Sequence, residues 1–489
     1  MKALKLWPTY IFSTLLSTLL TLLSMQGLYA DEVIPKLSLT DAIFLGIREN
    51  PTVQNARTSL TLQKFSVWVQ RWQFLPHYAL TANAGVGKTR SAWQIVQPTS
   101  NLNVSPTVTW TSPIGTQVTL NATNAKGKHY NPGVSLAILQ PLIRGFGKAI
   151  TEASLYNAQD SELVSRLNLE GTLRSTVTAI INAYLDVVTA EQTVAIDQKA
   201  LKRAEESVTQ TKIFIDSGRK AGNELITVEA NVASAKTQLE NDKNNLVQSR
   251  YALLTAIGID PNTMIQFIPL NIQQLIQKYH YPTLTDTKEL VLLNDIQYQT
   301  EKLTLEGTTT RTLIKAEDDT RWQLDLDIKA GSGSGQAGGF QAGTNSVFNG
   351  SNWNQSAGLT LQIPIDNQLT KQALLGAQIG LKQAKLGLQQ TKWSKETGAI
   401  NGWNLVAAAK RALAFAEDAE RLQEQTYQVS YQKYLHGLID SLELQTAQDA
   451  LTRSQQTLLG TRISYLKALV NFDMLIGHTL KTWNIETRI

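Results

Sequence analysis

Cysteine is absent from the 489 residues, which removes disulfides, thiol nucleophiles and the commonest zinc donors together. Charge is sparse as well, at 17% of residues. The formal net charge of +5 falls to +3 once Lys2 and Lys5 are set aside, too small a surplus for a nucleic-acid partner. The five histidines, His77, His129, His280, His436 and His478, share no metal-ligand spacing. No Ser/His/Asp arrangement can be nominated, so no enzyme, cofactor or metal site is expected. Proline is missing between Pro141 and Pro261 and again after Pro364, which leaves two blocks free for uninterrupted helix. Long apolar runs are missing too, apart from Ile11 to Leu23, which is short of the ~20 residues of a membrane span. With Lys2 and Lys5 before it and Leu28-Tyr29-Ala30 after it, that run predicts a signal peptide cleaved after Ala30. A membrane anchor is the alternative.

What is present is a repeat. Gly218, Glu224 and Gly258 recur 219 positions later as Gly437, Glu443 and Gly477. Between these anchors an apolar residue returns every seventh position, at Leu225, Val232, Leu239, Leu246 and Leu253, then at Leu444, Leu451, Leu458, Tyr465 and Phe472. The accompanying positions are mostly small (Val228, Ala235, Ser249, Ala256; Ala447, Ser454, Thr461, Ala468). That pattern predicts two coiled-coil hairpins whose backbones approach closely. Each hairpin has a long arm, 148–216 or 368–435, and a shorter return, 222–257 or 441–476. Helices over 41–75, opened by Thr40 as N-cap, and over roughly 286–318 make up the difference. Two short helices stacked end to end are thus expected to flank each long one, and at 1.5 Å per residue each column spans on the order of 100 Å.

Residues 78–140 and 322–363 lose the helical period and alternate, as in Leu80, Ala82, Ala84 and Val86, or Leu324, Leu326 and Ile328. Apolar residues outward and polar or small residues inward describe a membrane barrel strand, with a soluble sandwich as the alternative. Trp93, Trp110, Tyr130, Trp322 and Trp353 fall near the expected strand ends. The first stretch is the longer, which suggests an additional hairpin around Thr111 to Thr116, within residues 103–124. Gly331 to Gly343 and Asn345 to Asn354 read as loop.

Two motifs tempt. Ala82 to Thr89 fits a loose phosphate-loop pattern, yet Arg90 to Ile95 alternate like strand where such a loop needs a helix. Gly333 to Gly338 fits G-x-G-x-x-G inside a glycine-rich loop with no helix behind it. Asp440 and Glu443, three apart beside a tip, and Glu224 at the matching place, are either gate residues or solvated acids favoured by a helix N-terminus.

The chain resembles the TolC family of outer-membrane efflux and secretion ducts across its mature length. Leu37-Ser38-Leu39-Thr40-Asp41-Ala42-Ile43, continuing to Asn50-Pro51, is similar to that family's first-helix motif. Leu75-Pro76 and Gln140-Pro141-Leu142 are similar to its junctions between barrel and duct, as is Pro364. The tips Phe214-x3-Gly218-x5-Glu224 and Tyr434-x2-Gly437-x5-Glu443 fit its periplasmic turns. The chain departs from the family's model member at Thr446, where that protein has a second acid, and at Ile439, where it has a basic locking residue. Without cysteine it also cannot be lipidated like one branch of the family.

The resemblance implies an α+β membrane protein: a homotrimer with one twelve-stranded β-barrel, four strands per protomer, continued by a long antiparallel coiled-coil barrel built from two repeats. Its segments would be a signal peptide (1–30), first-repeat helices (31–75), strands and loop (76–141) and coiled coil (142–278). An equatorial linker with a short helix (279–320) would lead to second-repeat strands and loop (321–366) and a closing coiled coil (367–489). Expected gate residues at the periplasmic entrance are Glu443, Asp440, Glu224, Tyr434, Arg219 and Lys220. Gly218, Gly437 and Leu438 are expected at the tips that meet an adaptor, and Arg219 and Lys220 are expected to face Asp440 and Glu443 across a closed mouth. The implied function is a passive exit duct of a tripartite efflux pump or type I secretion system, in the outer membrane of a Gram-negative bacterium. Its implied partners are a periplasmic adaptor, an inner-membrane transporter and outer-membrane lipid. A periplasmic or surface coiled-coil adaptor or structural protein is the alternative. The cargo, whether drug, metal or protein, is not written in the sequence.

Overall fold

The computed structural model of the protein describes residues 36–89, 97–126, 130–279, 281–333, 339–350 and 352–486. The expected signal peptide, Trp93, His129, His280 and Ser334 to Gly338 lie outside the described residues. The first repeat opens with β1 (Lys36–Leu37), α1 (Leu39–Glu49) and α2 (Pro51–Trp72). Strands β2 (His77–Thr89), β3 (Gln97–Thr111), β4 (Gln117–Lys126) and β5 (Tyr130–Pro141) come next. After one turn, α3 (Lys148–Thr151), come the long α4 (Ala153–Asp216) and its return α5 (Glu224–Ile257). A connector carries β6 (Gln266–Phe267), paired in parallel with β1, and α6 (Ile272–Lys278). The second repeat holds α7 (Leu284–Asn294), α8 (Ile296–Thr304), a π-turn (Leu305–Thr309) and α9 (Thr310–Asp319). It continues with β7 (Gln323–Gly333), α10 (Phe340–Phe348), β8 (Trp353–Gln362), α11 (Gln368–Leu435), α12 (Ser441–Leu475) and α13 (Thr479–Thr482).

The long arms end just before Gly218 and Gly437, whose φ values of 71° and 73° are the left-handed conformation that closes a helix at little cost in glycine. The first helix departs from expectation at both ends. Ser38, not Thr40, is its N-cap, in a reciprocal capping box with Asp41. It also stops at Asn50, because Pro51 has no N–H to continue the ladder and instead begins α2.

Short helices do stack end to end along each long arm, and one device holds both joints. Asn50 accepts from Thr52 N at 2.9 Å to cap α2 and donates its amide to Ala256 O, in the last turn of α5, at 2.8 Å. In the second repeat Asn294 donates to Ile476 O at 2.8 Å. Opposite each asparagine the returning helix ends in a left-handed glycine, Gly258 (φ 92°) or Gly477 (φ 77°). A Cβ on Gly258 would lie 2.8 Å from Asn50 Cα, and one on Gly477 would overlap Asn294, so a side chain at either site would push the joint open. The main apolar core surrounds these joints, with Ile180, Tyr184, Leu253, Ile257, Leu466 and Phe472 almost wholly buried.

The remaining strands make one antiparallel sheet in the order β2-β3-β4-β5-β7-β8. The fold class expected from the sequence, a sheet joined to long antiparallel coiled coils in two repeats, is the one observed. The sheet holds six strands, two of which, β3 and β4, form the additional hairpin expected around Thr111 to Thr116, and that hairpin is paired on both sides. Strand β3 pairs with β2 from His77↔Thr109 to Thr89↔Gln97, and β4 with β5 from Gln117↔Leu139 to Lys126↔Tyr130.

Directly opposed residues share a face, so the register sorts the whole sheet into two chemistries. Ala82, Val104, Leu120, Leu136, Ile328 and Leu359 belong to one face; Asn83, Asn103, Asn121, Ser135, Asp327 and Thr360 belong to the other. The apolar face is bare, with Leu80 71%, Val86 91% and Leu359 68% exposed. A soluble sandwich would bury it under a second layer; here α10 alone rests on its far end among the described residues, where Ser332 Oγ donates to Val347 O at 2.7 Å. Tyr78 and Trp110 stand at the helical end of this face, and Tyr130 and Trp353 at the far end. Trp110 and Tyr130 are opposite β4 residues eight apart, about 27 Å along a strand, which when tilted suits an apolar band ~25 Å tall. No described helix is long and apolar enough to cross a membrane.

The asparagine joint makes a direct prediction. Asn50→Ala removes both a cap and a clamp and should cost about 1–3 kcal/mol, read as a lower melting midpoint of the helical signal. Asn50→Asp keeps the acceptor for Thr52 N, loses the donor to Ala256 O, and should fall in between. An unchanged midpoint for Asn50→Ala would mean that water replaces the clamp at no cost.

Candidate functional site

The expected gate residues gather at the end of the helical columns farthest from the sheet. Glu224 opens α5 and Asp440 caps α12, so both turns present acids where helix N-termini favour them. Lys220 reaches back over the first turn and donates to Glu224 Oε2 at 2.7 Å and to Ser441 Oγ at 3.0 Å. Ser441 Oγ in turn donates to Glu224. The three side chains tie the first hairpin to the second. Although burial works against it, hydrogen bonds from Lys220 and Ser441, with the lysine charge, hold the Glu224 carboxyl below the usual carboxylate range.

Beneath this network sits a small second core of Phe214, Tyr427, Tyr434, Leu444 and Leu451. Tyr434 is fully buried, so within the protomer it braces the tips from inside and does not present its ring to an opening. Thr211 Oγ1 gives its proton to Ser207 O at 2.7 Å, which leaves it to accept from the Tyr434 hydroxyl at 2.7 Å. The Lys220 ammonium lies 4.4 Å from the Tyr434 ring centre, a cation–π contact that fixes the lysine between ring and carboxylate.

Within one protomer the remaining tip charges take other partners, and the contact expected across a closed mouth lies between copies. Arg219 stacks on Phe214, its Cζ 4.8 Å from the ring centre, and lies against Gly437. Asp440 turns to its own helix and accepts from Glu443 N at 2.7 Å. Among the described residues no ion pair joins Arg219 to Asp440 or Glu443 within the protomer. Glu443 and Asp440 are solvent-exposed, and Leu438 is 73% exposed at the turn. At the opposite end Pro76 separates α2 from β2, Pro141 closes β5 opposite Asp325, and Pro364 lies two residues beyond β8.

A further feature went unread in the sequence. The seven-residue series Val228, Ala235, Ser249, Ala256 has Asp242 as its middle member, a carboxylate on a coiled-coil seam. It meets Asp197 of α4, which is 3% exposed and whose Oδ1 accepts from Gln456 Nε2 at 2.9 Å. Two carboxylates in hydrogen-bond contact need a proton between them, and burial first, then Asp242, push the Asp197 carboxyl up to about 7. Burial acts to raise Asp242 as well, but hydrogen bonds from Asp197, Gln238 and Asn245 hold it below its ordinary value. A polar cleft of about 340 Å³ opens beside the pair between α4, α5 and α12, where Arg203, Asp449 and Arg453 are the other charged groups.

Residues 316–478 match the family model described as outer membrane efflux protein. The resemblance drawn from the tips and junctions is thus met by the family's own sequence pattern in the second repeat. No curated protein matches the chain in sequence. Among solved structures, the chain is similar to CusC, with a TM-score of 0.70 at 14% identity over 92% of this chain and 95% of that one. It is also similar to the Neisseria gonorrhoeae MtrE outer membrane channel in its open state, with a TM-score of 0.66 at 17% identity over 90% of this chain and 88% of that one. The Campylobacter jejuni CmeC outer membrane channel gives 0.67 at 14% identity over 90% and 85%. At these identities the likeness carries the fold.

The carboxyl pair predicts a pH dependence of stability. Because Asp197 is raised, the folded chain holds a proton that the unfolded chain releases near pH 4. The associated stability is complete below that value and is lost as pH rises through about 7. Melting of the helical signal should therefore be lower at pH 8 than at pH 6, and Asp197→Asn should flatten that difference. An equal slope in the variant would assign the dependence to other groups.

Proposed function

We propose that this chain is one protomer of a homotrimeric duct that crosses the outer membrane of a Gram-negative bacterium and extends through the periplasm. It would be the exit component of a tripartite efflux pump or a type I secretion system. The observation that carries this reading is a surface left unfinished in two places. The sheet has bare outer edges at β2 and β8 and an uncovered apolar face. The helices are unfinished in the same way: α11 exposes Ile379, Leu386 and Trp393, then Phe415, Leu422 and Val429, at steps of seven, while α2 exposes Leu62, Phe65 and Trp68. These are coiled-coil seams without partners. Further copies of the chain arranged around an axis complete both, and lipid covers the apolar face.

The duct itself does no chemistry. Cargo moves through a water-filled lumen lined by the polar face, with energy from an inner-membrane transporter joined through a periplasmic adaptor. Apolar side chains exposed at the tips, Ile226, Leu438 and Leu442, suit an adaptor that docks by apolar contact. Three copies of exposed Glu443 around one axis would attract cations and repel anions. The Lys220, Glu224 and Ser441 network and buried Tyr434 keep the two hairpins of a protomer moving as one piece during opening. A coiled-coil scaffold is the other reading, and it leaves the bare apolar sheet without a role.

SDS-resistant, heat-modifiable trimers in an outer-membrane fraction are the expected result; a soluble monodisperse monomer would overturn the duct. In planar bilayers Glu443→Gln should lower cation selectivity and weaken block by divalent cations. Selectivity equal to that of the unaltered protein would mean the carboxylate faces away from the lumen. Leu438→Ser should reduce export to that of cells lacking the duct while trimers persist, and normal export would remove Leu438 from the adaptor contact.

A further inference from the structure

The segment between β7 and β8 contains α10, and the contacts of that helix seat it on the apolar face of the sheet, not over the polar one. Tyr130 and Pro132 share the face of Val134 along β5, and Ser332 pairs with both Val134 and Trp353, so all of these belong to the apolar face. Ser332 Oγ donates to Val347 O at 2.7 Å. The Phe340 ring centre lies 5.1 Å from that of Tyr130. Gly343 is buried, and a Cβ there would lie 2.8 Å from Tyr130 Cδ1 and 3.0 Å from Pro132 Cδ. The helix backbone therefore rests directly on the sheet, and the described part of the segment folds outboard of it.

What α10 shows to its surroundings is unlike a loop in water. Phe340 and Phe348 are 67% and 85% exposed, and Trp353, at the start of the next strand, is 65% exposed. Large rings left in water forgo the burial that stabilises them, and three in one short segment mark a surface that something covers. Charge is missing as well: no Asp, Glu, Lys, Arg or His occurs from Ala330 to Ile365. The other two far connections do carry it, as Lys88 and Arg90 between β2 and β3 and as Lys126 and Lys128 between β4 and β5. The exposed polar groups of α10 are the uncharged amides Gln341 and Asn345. Bare aromatic rings beside uncharged polar groups on a helix laid flat suit a boundary between water and hydrocarbon better than either alone.

From this we infer that α10 lies in the outer leaflet of the membrane, on the lipid side of the sheet, with Phe340 and Phe348 at the boundary between headgroups and acyl chains. The face that seats it is the one that lipid covers in the duct, and it sits at the end of that face farthest from the helical columns, so the lipid is continuous with α10. With no Lys or Arg to draw it to anionic headgroups, its hold on the leaflet comes from apolar burial. Placed there, α10 limits how far the sheet can sink toward the periplasm and keeps the segment between β7 and β8 beside the outer mouth instead of across it. The inference rests on the outer-membrane duct proposed above.

The absence of native cysteine allows one nitroxide label to be placed at a time. Labels at Phe340→Cys and Phe348→Cys are compared with one at Ile328→Cys, on the apolar face of β7 four residues before Ser332, and with one at Leu438→Cys at the helical turn. The protein is reconstituted in bilayers of phospholipid and lipopolysaccharide. Collisions with dissolved oxygen, which concentrates among acyl chains, are measured against collisions with a water-soluble nickel chelate. The oxygen-to-nickel ratio at both α10 positions should exceed that at Leu438→Cys several-fold without exceeding that at Ile328→Cys. Because Phe340→Cys gives up the ring contact with Tyr130, Phe348→Cys decides where the two disagree. A ratio there equal to that at Leu438→Cys would place α10 in water and overturn the inference while sparing the duct. Few collisions with either reagent would mean that protein covers α10 and would overturn it as well. A water-like ratio at Ile328→Cys would instead overturn the duct.

Discussion

A sheet edge cannot be left bare in a hydrocarbon environment, because each unpaired backbone N–H or C=O there costs several kcal/mol. The six strands of this chain have two such edges and a bare apolar face, and six strands cannot curl round to meet one another about an open pore. Closure has to come from further copies. Once it does, the helices that hang from the strands are brought side by side, and the exposed seven-residue seam of α11 gains its partner. One backbone constraint thus accounts for the proposed oligomer, for the two chemistries of the sheet and for the thin, repeated seams of the helices.

The columns themselves are long because they are jointed. An asparagine amide spans each joint and a left-handed glycine lets the two backbones close to contact, once at Asn50 and Gly258 and again at Asn294 and Gly477. This keeps short helices in line along a helix of 64 or 68 residues without demanding an unbroken partner of the same length. Toward the tips the packing changes character. Between the main core and the small core around Tyr434 lies the Asp197 and Asp242 pair with its polar cleft. A seam whose contacts can be exchanged for water is easier to open than an apolar one, and this layer lies behind the small core that braces the turns.

Much of this was legible in the sequence because proline and glycine punctuate it. The long arms end at the glycine turns, and the alternation of Leu80 to Val86 or Leu324 to Ile328 is that of the observed strands. The errors also have physical causes. Thr40 lost to Ser38 because the capping box needs its acid three residues on, and Asp41 supplies it. Strand β3 was hard to count as central because Pro106 cannot donate to a ladder; in the sheet it falls where the β3–β4 pairing skips from Val104↔Asn124 to Thr107↔Asn121. Tyr434 was expected at an opening and is buried, since a tip tyrosine and a core tyrosine obey the same helical period. Asp242 was passed over because its seam was read by its small residues and not by its charge.

Amide hydrogen exchange of the detergent-extracted protein tests the closed-barrel account most directly. If copies pair edge to edge, the amides of β2 and β8 are interior and exchange as slowly as those of β4 and β5. Rapid exchange along β2 and β8, with β4 and β5 protected, would leave the edges open and contradict the account.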